Sequence, residues 1–577
     1  MKTLLAAILA FPLIAQSHPP QNAPSPAPGS STPEEGIPVT NQVVISKCGS
    51  CHTRDERGNM LRISWERATP EGWEEAIKRM VRLNGVQLTP DEARSILKYL
   101  ASYHGLAPEE AKPVMYFAER RMQDETNIPS DNVRGACANC HAMAKPLSWR
   151  RTADDWKLLA NLHSALYPQA DDAFRLGIMA GRFDLDRAHF DPNAKMPVDE
   201  ALASLSKTAA LWTPEWSAWR ARMRAPKLAG RWIVTAHVPG KGRFFGDMEI
   251  EAVKGIDDEF NTRVKLTSVK DGSTISRTGH SLVYSGYAWR GRSKGTPSAN
   301  ASPDDLGSDA REVMWISPDQ SSAEGRWFWG QYQELGFDVK LQRASSEPAL
   351  IDVDRPSLKT GSQAARVKVI AQNLPAQIDA ADLDFGSGVS VRRIVSHTPA
   401  EVIAEVDVAA AAVPGKRDIV FRRAVLPSAI AVYDRIDYIK VLPDSALARL
   451  GSTRHPKGYQ QFEAVAYQRG ADGKPHTADD VDLGPIDVTW SLEEFYSTYN
   501  DDDREFVGSL SAAGFFTPAS DGPNPQRRFS RNNYGDVWIV ATAKSERDKD
   551  GKPLVDKSYL VVTVPAYIQW DQPEVGQ

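Results

Sequence analysis

Two pentapeptides carry the densest chemistry in this chain: Cys48-Gly49-Ser50-Cys51-His52 and Cys137-Ala138-Asn139-Cys140-His141. Together they use all four cysteines of its 577 residues. The spacing suits covalent haem c, in which two thiolates add to the vinyl groups of one porphyrin and the adjacent histidine reaches the iron. Cys48, Cys51, Cys137 and Cys140 are the expected attachment points of two haems, with His52 and His141 as proximal ligands. A redox disulfide or a zinc site can use the same Cys-x-x-Cys pair. Here the pairs lie too far apart for a zinc ribbon, and each is followed at once by its own histidine.

Each haem then needs packed helices and a sixth ligand from elsewhere in the chain. Thr69-Pro70-Glu71-Gly72-Trp73 reads as a helix start, with Thr69 as cap and Pro70 at the first helical position. Trp73, Ile77, Met80 and Val81 follow on one face. A second helix opens at Thr89-Pro90-Asp91-Glu92, where Thr89 and Glu92 have capping-box spacing.

The pattern recurs after the second motif. Trp156 stands seven residues before His163, as Trp73 stands seven before Met80. Methionine and histidine are both sixth ligands of haem iron, so the repeat predicts His52/Met80 for the first haem and His141/His163 for the second. Met196, followed by Pro197, is the alternative to His163, while Met60, His104, Met179 and His189 are outside candidates. The bland alternative for Met80 is a core methionine on a helix face. Thioether ligation raises the haem potential relative to bis-imidazole ligation, so two unlike haems make a directed electron path. An open sixth position would point instead to peroxide or oxygen chemistry.

Haem attachment to cysteine takes place outside the bacterial cytoplasm, and the N-terminus agrees. Met1-Lys2, an apolar run from Leu4 to Ile14 and Ala15-Gln16-Ser17 read as a signal peptide over residues 1–17, which predicts a periplasmic protein. The run is too short to cross about 30 Å of hydrocarbon, and no other stretch approaches that length, so no membrane span is expected. Residues 18–38, rich in Pro, Ser and Gln, read as a disordered lead-in. A net charge of −5 with acids and bases interspersed offers no basic footprint for nucleic acid.

The elements that must hold these groups set the expected architecture. Residues 39–214 are expected to form an all-α tandem (dihaem) cytochrome c domain. After Trp212 to Trp219 the helical period gives way to alternation, as in Trp232, Val234, Ala236 and Val238. Residues 215–344 read as an antiparallel β-barrel with a polar loop from Gly291 to Gly307. Two all-β, immunoglobulin-like sandwiches are expected over 345–443 and 444–577. The acidic clusters Asp472, Asp479, Asp480, Asp482 and Asp548, Asp550 lack EF-hand spacing and read as solvated turns.

A tandem-haem region followed by three β domains resembles the α subunit of quinohaemoprotein amine dehydrogenase. The likeness rests on the two haem motifs, on Thr69 to Trp73 through Arg79-Met80, and on Trp327-Phe328-Trp329-Gly330-Gln331-Tyr332. It also rests on Asp487-Val488-Thr489-Trp490 and Arg531-Asn532-Asn533-Tyr534-Gly535-Asp536. The resemblance implies a heterotrimer with a β-propeller subunit and a small subunit that holds cysteine tryptophylquinone. A primary amine would reduce that quinone, and electrons would leave through the two haems to an external cytochrome c or copper protein. With every cysteine committed to haem, no catalytic residue for amine oxidation is expected in this chain. The competing readings are a stand-alone dihaem enzyme such as a peroxidase, and a haem-bearing protein that binds a surface.

Overall fold

The computed structural model describes residues 35–115, 128–138, 140–176, 195–496, 502–527 and 532–565. The expected signal peptide, residues 18–34 of the lead-in, Met179 and His189 lie outside the described residues. Among the described residues, no helix is long and apolar enough to cross a membrane.

The N-terminal region is built from short capped helices. They are α1 (Gln42–Cys48), α2 (Pro70–Asn84), α3 (Pro90–Tyr103), α4 (Pro108–Ala111), α5 (Asp131–Cys137), α6 (Ala144–Leu147), α7 (Ala153–Leu166), α8 (Pro168–Leu176), α9 (Pro197–Thr208) and α10 (Pro214–Arg222). Local chemistry sets their ends. Thr69 Oγ1 accepts from Gly72 N at the start of α2, and Gly85, at φ 69°, ends that helix in the left-handed conformation. The Thr89/Glu92 capping box is present on α3.

The region is not all-α. Two three-residue strands, β1 (Glu66–Ala68) and β2 (Trp149–Arg151), pair antiparallel with Glu66 opposite Arg151, Arg67 opposite Arg150 and Ala68 opposite Trp149. The expected all-α tandem domain is thereby corrected, and among the described residues strand outweighs helix, 41% against 21%. The ribbon relates the two sequence repeats by a local pseudo-twofold, because Arg67 and Arg150 stand equally far before Trp73 and Trp156. Each indole then bonds an equivalent carbonyl: Trp73 Nε1 donates to His104 O at 2.8 Å and Trp156 Nε1 to Ala209 O at 3.1 Å. Burying each ring stabilises by about 4–6 kcal/mol, from about 150–250 Å² at about 25 cal/mol/Å².

Eight strands close the barrel: β3 (Gly230–Val238), β4 (Gly242–Ala252), β5 (Glu259–Ser268), β6 (Thr274–Tyr284), β7 (Ala288–Lys294), β8 (Ala310–Ile316), β9 (Ser322–Trp329) and β10 (Gly336–Arg343), with β10 pairing back to β3. Alternation puts Trp232, Phe260, Trp289, Trp327 and Phe337 inside, where side chains fill a barrel of this size. The polar loop is shorter than expected, since β7 runs on to Lys294.

One hydrophobic core runs from Val39 through the haem-motif region into the barrel as far as Leu341. Polar contacts pin the junction. Tyr287 Oη donates to Leu106 O and Trp315 Nε1 to Pro108 O, both at 2.9 Å. Arg290, inside this junction, forms a buried ion pair with Glu71 of α2.

Between 349 and 433, two four-stranded sheets share a core that includes Val367 and Val402 from one sheet and Ile419, Phe421 and Val432 from the other. Ser357–Lys359 pairs parallel with residues 431–433. From 438 to 563 the described residues form three sheets, of three, four and three strands, where an immunoglobulin-like sandwich was expected over 444–577. Their core includes Val441, Ala448, Phe462, Phe516, Ile539 and Leu560.

Candidate functional site

Each Cys-x-x-Cys-His motif begins at the last residue of a helix. Asn41 caps α1 by accepting from Val43 N and Val44 N, and the helix ends at Cys48. The chain then turns so that Cys51 N and His52 N both donate to Cys48 O, at 3.2 and 2.9 Å. Both thiols and the imidazole are thus gathered around one turn. In the second motif Ser130 caps α5, which ends at Cys137. Ser130 Oγ in turn donates to Glu200 on α9 at 2.5 Å, tying the motif helix to the helix that follows Met196.

The ring orientations are informative. His52 Nδ1 lies 2.8 Å from Leu61 O, His141 Nδ1 3.1 Å from Ala142 O, and His163 Nδ1 2.9 Å from Leu159 O. A backbone carbonyl at Nδ1 fixes the tautomer that carries its proton there, which makes Nε2 the nitrogen a metal would take and sets the ring's orientation. His237 differs, using Nε2 to bond Glu463.

The four cysteines are unbridged, with Cys48 and Cys137 half-buried and Cys51 and Cys140 exposed. Burial, then the neighbouring Cys51, pushes the Cys48 thiol up, and burial pushes the Cys137 thiol up to about 12. That is the wrong direction for a disulfide-exchange thiol, which needs a depressed pKa.

Met80 and His163 occupy matching places on α2 and α7. Met80 is half-buried, and Asn84 Nδ2 approaches its Sδ at 3.6 Å. His163 is half-buried, and burial lowers its basicity, which keeps the imidazole in its neutral, metal-binding form. Met196 is the N-cap of α9, 41% exposed, its N–H bonded to Asp199 at 3.2 Å. The outside candidates Met60 and His104 are fully buried. His104 packs against Trp73 and Tyr99, and burial holds its pKa down to about 3.

These surroundings fit a porphyrin. Beside the candidate ligands stand large apolar side chains that face outward: Leu61, Val81 and Leu83 in the first unit, and Leu158, Leu166 and Tyr167 in the second. A flat apolar macrocycle anchored by two thioethers would cover such surfaces. Among the described residues, no group of three or more His, Cys, Asp or Glu converges as a metal cage of its own. The acidic clusters serve their own turns: Asp480 accepts from Gly470 N and Thr477 N, and Asp548 from Asp550 N and Lys552 N.

Sequence reasoning missed the charged groups buried between the two units. Arg67 and Arg150 share the carboxylate of Glu110: Arg67 Nη1 and Nη2 donate at 2.8 and 3.0 Å, and Arg150 Nε at 3.3 Å. Burial pushes the Glu110 carboxyl up, but the Arg67 and Arg150 guanidiniums override it and hold it down at about 2. Nearby, Arg151 sits between Glu66 and Asp155, and Arg62 Nε meets Asp155 at 2.8 Å. Burial and the Glu66 charge raise the Asp155 pKa, while the Arg151 and Arg62 charges outweigh burial at Glu66 and lower its pKa. The repeated Arg-x-Thr before each tryptophan, Arg67-Ala68-Thr69 and Arg150-Arg151-Thr152, was the available signal.

Comparison with known proteins gives four family-model matches. A model described as quinohemoprotein amine dehydrogenase A, alpha subunit, haem binding, matches residues 39–190. Models for alpha subunit domains II, III and IV of quinohemoprotein amine dehydrogenase match 225–344, 347–434 and 439–575. No curated protein matches. Among solved structures, the chain is similar to a redesigned beta barrel at 16% identity, covering 22% of this chain and 98% of that one, with a TM-score of 0.17. It is also similar to human protocadherin-24 EC1-2 at 14% identity, covering 38% and 98%, with a TM-score of 0.15.

Proposed function

Because the chain belongs to the quinohemoprotein amine dehydrogenase alpha subunit family and carries that family's haem-binding domain, we propose that it is the dihaem electron-transfer subunit of such an enzyme complex. In this reading, Cys48 and Cys51 hold one haem c and Cys137 and Cys140 the other, both through thioether bonds. His52 and Met80 would hold the first iron, and His141 and His163 the second.

The observation that carries the reading is the pair of Cys-x-x-Cys-His motifs that each begin at the last residue of a capped helix, with the histidine Nδ1 on a backbone carbonyl. When bound, haem supplies one-electron iron chemistry. The chain's own residues orient and insulate it. Leu61 O and Ala142 O orient the His52 and His141 rings, Leu159 O orients His163, and the exposed apolar side chains of α2 and α7 would shield a bound macrocycle from water. Amine oxidation itself falls to another subunit, since a cysteine tryptophylquinone needs a cysteine and all four here are assigned to haem. The reading includes a β-propeller subunit, a small quinone-bearing subunit and an external periplasmic cytochrome c or copper protein as acceptor. The N-terminal run from Leu4 to Ile14 supports export to the periplasm.

Purification of the native complex with mass analysis of every chain is the test. Two covalent haem adducts on this chain, a small companion subunit bearing a quinone-type adduct, and haem reduction on adding a primary amine are expected. An unmodified chain, or haems that no amine reduces, defeats the proposal.

A further inference from the structure

The β1–β2 ribbon joins the two repeats through side chains as well as backbone. Trp73, on the helix that carries Met80, packs against Trp149 of β2 with ring centroids 5.7 Å apart. The Arg151 guanidinium lies 4.5 Å from the Trp149 centroid and 5.6 Å from that of Trp156, on the helix that carries His163. Relative exposures of 3, 8, 3 and 1% for Trp73, Trp149, Arg151 and Trp156 keep the row out of water.

The row is held in place from both sides. Glu66 and Asp155 anchor the Arg151 guanidinium. Gly72 allows Trp149 its close approach to α2: a Cβ there would meet two ring atoms of Trp149 at 3.0 and 3.1 Å and the Ala68 Cβ at 2.9 Å. Trp149 has no counterpart in the first repeat, where the matching residue is Glu66. A single tryptophan therefore fills the seam from one side and faces the other unit's tryptophan.

We propose that the row Trp73, Trp149, Arg151, Trp156 is the electron bridge between the two haem units, with Trp149 as its central positioning residue. The inference rests on the dihaem reading above. Electron tunnelling weakens steeply across empty gaps and less across orbitals in contact, and this row supplies ring-to-ring and cation-to-ring contacts between the two ligand-bearing helices. One electron passes from the reduced haem unit to the oxidised one, with no bond formed or broken and no proton transferred. The indoles lend orbitals and are not themselves oxidised.

The test uses the full-length chain with both haems attached, reduced by less than one electron per molecule in a radiolytic pulse. Internal equilibration is followed at the absorbance bands of the two haems, and both midpoint potentials are titrated separately. Trp149→Leu should slow equilibration severalfold with both potentials and both axial-ligand spectra unchanged, and Trp149→Phe should fall between Leu and wild type. Gly72→Ala keeps every ring of the row but displaces Trp149, so it should also slow equilibration; it replaces the Leu variant should that one fail to accumulate. Equilibration at the wild-type rate in Trp149→Leu, or in Gly72→Ala standing in its place, overturns the bridge. A wild-type chain with fewer than two attached haems defeats the dihaem reading itself, and mass analysis detects that before any kinetic trace is taken.

Discussion

Replacing Glu110 by glutamine removes one negative charge from the seam between the two repeats without changing its size. Five donors converge on this carboxylate: Arg67 Nη1 and Nη2, Arg150 Nε, Thr213 Oγ1 and Ala107 N, at 2.8 to 3.3 Å. Glutamine keeps one acceptor oxygen but turns an NH2 toward those donors. It also leaves Arg67 and Arg150, whose side chains are 0 and 8% exposed, facing each other in register without a counter-charge. Breaking a buried pair from one side costs about 3–5 kcal/mol. A second route gives a similar size. The gap between the ordinary value of 4.5 and about 2 in the fold corresponds to roughly 3 kcal/mol at about 1.36 kcal/mol per unit.

The pH dependence has a definite sign. Because the folded pKa is depressed, the stabilisation is fully present above 4.5 and is lost as the pH falls through about 2. Denaturant unfolding of the haem-loaded chain is the assay. Glu110→Gln should lower the midpoint by the equivalent of about 3–5 kcal/mol with little change in slope, and the variant should lose less stability than wild type between pH 4.5 and 2. A loss under about 1 kcal/mol, the range of exposed pairs, together with an unchanged acid slope, would falsify the view that this carboxylate holds the seam.

Met80→Ala should lower the potential of one haem or open its iron to carbon monoxide, and an unchanged spectrum and potential remove Met80 from the ligand set. His163→Ala and Met196→Ala separate the two candidates for the second iron: only the first should alter its axial-ligand spectrum, and the reverse result reassigns the ligand to Met196. His237 bonds Glu463 at 2.6 Å across the junction between the barrel and the last region, and that bond raises its pKa above 6.5. Its contribution is therefore present below pH 6.5 and lost as pH rises through the higher folded value, so His237→Gln should flatten the fall in thermal stability from neutral to mildly alkaline pH. Identical slopes in the two proteins would show that this contact carries no pH dependence.

Much of the site was legible because its chemistry is local. A Cys-x-x-Cys-His turn needs only neighbouring residues, and so do the Thr69-Pro70 start, the Thr89/Glu92 capping box and the recurrence of Trp73 to Met80 in Trp156 to His163. The barrel strands were also visible, since inward and outward residues alternate along them. The sheet arrangement of the last region was not legible, because strand periodicity does not say which sheet a short strand joins. It forms three sheets, and Ser445–Arg449 pairs in parallel with residues 559–563, more than a hundred positions away.

By itself, the sequence determined which residues are candidates for covalent chemistry: two Cys-x-x-Cys-His motifs, two matched helices with a ligand-type residue seven positions after a tryptophan, and an alternation that dictates a β-rich remainder. Only the tertiary structure decided how the two units meet. Four of the six residues in Glu66-Arg67-Ala68 and Trp149-Arg150-Arg151 are charged, a composition expected at the surface, yet all six are buried as paired strands. The physical reason is that a charged three-residue strand has no stability alone. It exists because a distant partner completes its backbone hydrogen bonds, and because Glu110, from a third segment, bridges the two arginines that the pairing brings together and offsets their repulsion.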